Sequence, residues 1–118
     1  MYIKILYIYI MVYILCKSTR KDKKYMVMDT EKGDIIHFGS KNNKDYIIYN
    51  EENKYMANDK KRAYIKRHSK LNEDWTNIKT AGFWSRWILW NMPTLDESIK
   101  NVEERFNIKI LNCKNKIT

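Results

Sequence analysis

The chain has 118 residues and a mass of 14.4 kDa, room for one domain with short tails. Lysine and arginine total 23 against 14 aspartates and glutamates, so the net charge is +9 and the pI near 9.5. That excludes an acidic, solvating chain and makes phosphate-bearing or acidic surfaces the natural partners. Hydrophobic residues at 44% supply a core, while 3 glycines and 1 proline exclude a collagen-like or linker-rich architecture.

Met1 to Cys16 reads MYIKILYIYIMVYILC, apolar except for Lys4, and Lys17, Arg20, Lys21, Lys23 and Lys24 follow at once. A membrane span needs about 20 apolar residues, and Cys-Lys-Ser-Thr is a poor signal-peptide cleavage site. Tyr, Ile, Lys, Leu and Met are encoded by A/T-rich codons, and Tyr7-Ile8-Tyr9-Ile10 is what a TATA tract spells in frame. The preferred reading is that residues 1–10 are upstream DNA read in frame and that Met11 is the true start. A signal anchor and an extra strand are the competing readings.

Val12 to Leu15, Tyr25 to Met28 and Ile35 to Phe38 are short β-branched or aromatic runs separated by polar breaks, which predicts a three-stranded antiparallel meander. Alternation puts Ile36 and Phe38 on one face and Ile35 and His37 on the other. His37 has no Ser, Cys or carboxylate visibly placed to complete a site with it. Asp45 to Tyr49 suits either a strand or a helix start. From about Glu51 to Leu71 the residues favour a helix, with Tyr64, His68, Leu71 and Trp75 on one face. Lys60, Lys61, Arg62, Lys66, Arg67 and Lys70 fall within that helix with no acid among them after Lys60, and Arg62, Lys66 and Lys70 form a stripe away from the aromatic face.

The segment Ala81 to Trp90 is apolar on most sides and reads as a buried helix ended by Asn91-Met92-Pro93. Thr94-Leu95-Asp96-Glu97 is a capping box. Leu95, Ile99, Val102 and Phe106 continue it as an amphipathic helix, and Ile108 to Leu111 is able to add a last strand. Cys16 and Cys113 lie far apart and read as reduced thiols of an intracellular protein. The expected fold class is α+β: a three-stranded antiparallel β-meander followed by three helices packed on it. Residues 1–10 form an extension, 11–107 the domain and 108–118 a polar tail.

Lys23-Lys24-Tyr25, His37-Phe38-Gly39, Asp45-Tyr46, Arg67-His68, Trp75, Lys79 to Gly82, Ser85 to Trp90, Pro93, Ser98-Ile99 and Arg105-Phe106 together form a pattern. It resembles a family of small uncharacterised basic proteins of nucleocytoplasmic large DNA viruses, over roughly Met11 to Phe106. The resemblance implies a viral single-domain protein that begins close to the first strand; it carries over no activity. The extension Met1 to Ile10 and the stretch Asn50 to Asn58 depart from the pattern.

No phosphate-binding glycine loop, H-E-x-x-H or G-x-S-x-G motif is present, and His37 and His68 are too isolated for a metal site. A nuclease centre at Asp29, Glu31 and Lys32 is the weaker alternative to a non-enzymatic chain. No catalytic residue, metal ligand or cofactor is therefore expected. Fifteen of the cations and eight of the carboxylates lie in residues 17–70, leaving the rest nearly neutral. The expected function is a non-catalytic nucleic-acid-binding or genome-packaging accessory. Its contacts are expected to be Arg20, Lys21, Lys23, Lys24, Lys60, Arg62, Lys66, Arg67 and Lys70, on the phosphate backbone of DNA or RNA. The alternative is a structural virion or host-interaction protein. Other virion proteins are further candidate partners, no small-molecule substrate is expected, and a membrane enters only if Met1 to Cys16 is retained. The expected location is the cytoplasm of an infected host cell or the virion, not secretion.

Overall fold

Strand β1, Val12–Lys17, turns Tyr13 and Leu15 inward, as an alternating pattern over a single core face requires. The computed structural model describes residues 10–113; the question of an extension or start at Met11 therefore falls mostly outside the described residues. Strands β2, Lys23–Asp29, and β3, Ile35–Ser40, follow as antiparallel neighbours, with Leu15 opposite Val27 and Val27 opposite Ile36. Phe38 is fully buried and Ile35 is half exposed, so the predicted alternation of β3 holds.

The sheet has four strands rather than three, and it is mixed rather than antiparallel. β4, Lys109–Asn112, pairs parallel with β1, Tyr13 facing Ile110, giving the order β3-β2-β1-β4. A parallel neighbour needs a long crossover, and here the whole helical region between β3 and β4 provides it. Burial of Ile108 and Ile110 supplies the driving force, so the segment expected as a polar tail opens with a structural strand. One residue beyond β4, Cys113 is disulfide-bonded to Cys16 across a Cα–Cα distance of 5.2 Å. The two cysteines are thus a cross-strand pair and not the separate reduced thiols that their spacing suggested.

There are four helices rather than three: α1, Tyr46–Glu52; α2, Lys54–Ser69; α3, Ala81–Trp84, which runs on into a π-helical turn over Ser85–Leu89; and α4, Leu95–Phe106. Asn53 separates α1 from α2. It is extended at φ −163°, its N–H still donates to Tyr49 O, and its side chain accepts from the amides of Tyr55 and Met56. One residue thereby closes the first helix and caps the next. At the other helical junction Thr94 Oγ1 accepts from the Glu97 amide, as the capping-box sequence predicts, and also donates to the Glu97 carboxylate.

The core lies between the sheet and the α3–π segment. Trp84 is fully buried against Tyr13 and Phe38, ring centroids 5.3 and 6.3 Å away. Gly39, at φ +82°, lets β3 approach this segment: a Cβ there would lie 2.6 Å from a Leu89 methyl. Ile99 and Val102 of α4 complete the interior. Trp87 is only half-buried, packed on Phe106 and covered by the guanidinium groups of Arg86 and Arg105 at 4.3 and 4.4 Å. Among the described residues no helix is long and apolar enough to cross a membrane.

Candidate functional site

The spacing within α2 divides its basic residues between two sides. Lys60, Tyr64 and Arg67, at i, i+4 and i+7, face a cleft of about 780 Å³, as does His68. Arg62, Lys66 and Lys70 are exposed and do not line it. The opposite wall is the start of β2, the end of β3 and the loop to Asp45; Ser85, Leu89 and Trp90 of the π-helical end form much of the base. Lys23 therefore meets Lys60 and Arg67 across one opening, although some 40 residues of chain separate them.

The predicted contacts differ in how far their charge is already neutralised. Lys24 Nζ donates to Asp45 Oδ2 at 2.6 Å, with side-chain exposures of 13% and 6%, while the other Asp45 oxygen accepts from the Ile48 amide at the start of α1. Lys24 borders the cleft, but its ammonium is mostly covered and already paired with Asp45. Arg20 pairs with Asp22 and Arg62 with Asp59, both on the surface. Lys21, Lys66 and Lys70 are exposed without a carboxylate partner among the described residues, but outside the cleft. Lys44, at the cleft, is held by Glu52 at 2.7 Å. Lys23, Lys60 and Arg67 line the cleft and form no salt bridge with a carboxylate among the described residues; Lys60 Nζ sits 5.5 Å from the centre of the Tyr49 ring. Lys61 points inward, donating to Asn91 O at 2.6 Å, and burial lowers its pKa.

An imidazole–carboxylate pair that the sequence reading overlooked stands in the same cleft. His68 Nδ1 lies 2.6 Å from Glu73 Oε2, and Glu73 Oε1 accepts from Trp75 Nε1 at 2.9 Å. Gly82 gives this carboxylate its space, since a Cβ there would lie 2.9 Å from Glu73 Oε1. The His68 ring stacks on Tyr64 at 4.2 Å, and Tyr64 stacks in turn on Trp90 at 4.4 Å. Burial pushes the Tyr64 phenol well above its usual range, so the ring is a neutral support. Tyr64 and His68 share a face of α2 as predicted, but the helix ends at Ser69, so the predicted face does not continue to Leu71, which is 64% exposed, or to Trp75, which stacks on Tyr64 at 6.4 Å from the turn beyond. The turn after α2 brings Glu73 back onto His68, a contact the helical period does not contain. His37 lies elsewhere, half-buried with Nδ1 2.8 Å from Ser18 Oγ.

Residues 13–68 are similar to a family of unknown function, DUF5754. The match runs from β1 almost to the end of α2, so it takes in Lys23, Lys60, Arg67 and His68 but not Glu73. No curated protein and no solved structure matches the chain. Of the residues that carry the pattern described above, Gly39, Asp45, Arg67, His68, Gly82 and Trp90 all line this cleft.

Proposed function

We propose that the chain binds the phosphate backbone of nucleic acid, seating it in the cleft between β3 and α2 with the outer face of α2 as an electrostatic flank. One observation carries this reading: Lys23, Lys60 and Arg67, from distant segments, converge on one opening and form no salt bridge with a carboxylate among the described residues. The cleft lining holds five cations against the carboxylates of Asp45 and Glu73, and a concave site with such an excess of positive charge concentrates anions. Each phosphate neutralised releases condensed counterions, which is the driving force. Phosphate contacts carry no sequence information, so discrimination between sequences is expected to be small. The resemblance to small basic proteins of large DNA viruses supports a place in the infected cell or the virion.

A salt titration of binding tests the reading. Three contacts in the cleft and two from Lys66 and Lys70 give a slope of log affinity against log salt of roughly −2 to −3.5 on a single strand. Lys60→Glu with Arg67→Glu removes most of the binding, while Lys66→Glu with Lys70→Glu only lowers the slope. Absence of retardation of DNA or RNA by the wild type at about 50 mM salt, where such contacts are strongest, refutes it. The charge would then serve solubility, and the interaction-protein alternative would stand.

A further inference from the structure

We propose that His68 is the general base of a ribonuclease centre in this cleft, with Glu73 as its positioning residue. The inference rests on the nucleic-acid-binding reading and departs from the expectation of a non-catalytic chain, because the structure joins two residues that the sequence pattern keeps apart. An ionised carboxylate only accepts hydrogen bonds, so His68 Nδ1 carries the proton donated to Glu73 at 2.6 Å. In the neutral ring the lone pair is then on Nε2, which has no hydrogen-bond partner among the described residues. The ring is restrained in plane by Glu73 and in tilt by the Tyr64 stack, and its side chain remains 25% exposed to the cleft. Glu73 is itself fixed by Trp75 and by its seat on Gly82. An oriented imidazole with a free nitrogen, a carboxylate behind it and cations around it is the arrangement that proton abstraction beside a phosphate requires.

Single-stranded RNA supplies the matching nucleophile. Its 2′-hydroxyl is tethered next to the phosphorus, so a base need only remove its proton. His68 Nε2 takes the 2′-hydroxyl proton, the 2′-oxygen bonds to phosphorus, and the bond from phosphorus to the 5′-oxygen breaks. The departing 5′-oxygen takes a proton from solvent, and His68 returns its own proton to solvent. The products end in a 2′,3′-cyclic phosphate and a 5′-hydroxyl, with no net change in protons or electrons. Lys23, Lys60 and Arg67 line the same cleft and would offset the charge that builds on the phosphoryl oxygens. DNA has no 2′-hydroxyl and would bind without being cut.

The test incubates the full chain with a short 5′-labelled single-stranded RNA, the same sequence as DNA, and the same RNA methylated at every 2′-oxygen, all with chelator present. RNA alone should be cleaved, leaving cyclic-phosphate ends. His68→Asn should lower kcat by roughly 10²–10⁴-fold with RNA binding retained. Glu73→Gln should lower kcat and leave KM unchanged, and added imidazole should restore part of the cleavage by His68→Ala. Wild-type protein that binds RNA but leaves it intact overturns the proposal and spares the binding reading. So does cleavage that survives His68→Asn, or that extends to the methylated strand, a result that needs no variant to fold. Failure to bind any of the three strands removes both.

Discussion

The sharpest check on the separation of structural from binding cations is Lys24→Met. Lys24 and Asp45 are both nearly inaccessible, and their 2.6 Å contact joins β2 to the first turn of α1. Methionine keeps the aliphatic stem beside Gly39 and removes only the charge. Asp45 is then left with its cap bond to the Ile48 amide and no cation, and an uncompensated buried charge of this kind costs about 3–5 kcal/mol. At roughly 4 °C per kcal/mol for a domain of about this size, the melting temperature falls by at least about 12 °C. Lys24→Met combined with Asp45→Asn keeps the cap acceptor, removes the stranded charge and recovers part of the loss. Urea unfolding of the wild type, both single variants and the double variant isolates the coupling. Binding should respond differently, because a lysine already spent on Asp45 releases no counterion. The salt slope of Lys24→Met therefore equals that of the wild type. A stability loss below about 1 kcal/mol, together with a slope reduced by about 0.7–0.9, would mean that Lys24 contacts phosphate and that the assignment is wrong.

Reducing the Cys16–Cys113 disulfide, which spans a sequence separation of 97, should lower stability by about 4.7 kcal/mol on the chain-entropy model. Unfolding with and without dithiothreitol measures this, and Cys113→Ser should match the reduced wild type. Trp84→Ala, at a site with 0% exposure, should cost about 3–5 kcal/mol. Trp87→Ala should cost less, because that ring is only half-buried and lies partly under Arg86 and Arg105; the order of the two urea midpoints decides the matter.

What was legible in the sequence was local. The Thr94 cap and the Leu95, Ile99, Val102 and Phe106 face depend on residues within three or four positions of one another, and both are present. The meander of β1, β2 and β3 was legible because short polar breaks separate its runs. The parallel pairing of β4 with β1 was not, because it depends on contacts nearly 100 residues apart and leaves no periodic trace. The disulfide escaped for the same reason. Asn53 sits among good helix formers and gives no breaker signal of the Gly or Pro kind; its competition with the backbone becomes decisive only where the chain must bend between α1 and α2. At the cleft, composition identified the basic helix. Which of its charges are neutralised, and by which carboxylate, is decided by tertiary neighbours such as Asp45 and Glu73.

The bond between Cys16 and Cys113 also determines how the molecule would carry tension. A pull applied ahead of β1 and beyond Cys113 travels along β1 to Cys16, crosses the sulfur bridge and leaves through Cys113. The cleft, the helices and most of the sheet lie inside that loop and stay unloaded, so extension stops after β1 is stripped from its neighbours. Once the bridge is reduced the same pull meets β1 and β4 as parallel strands drawn from opposite ends. Their ladder bonds then share the load in shear instead of opening one by one. A single-molecule extension trace would show a short, truncated contour length for the oxidised chain and a full-length release, at a force peak set by the β1–β4 ladder, for the reduced one.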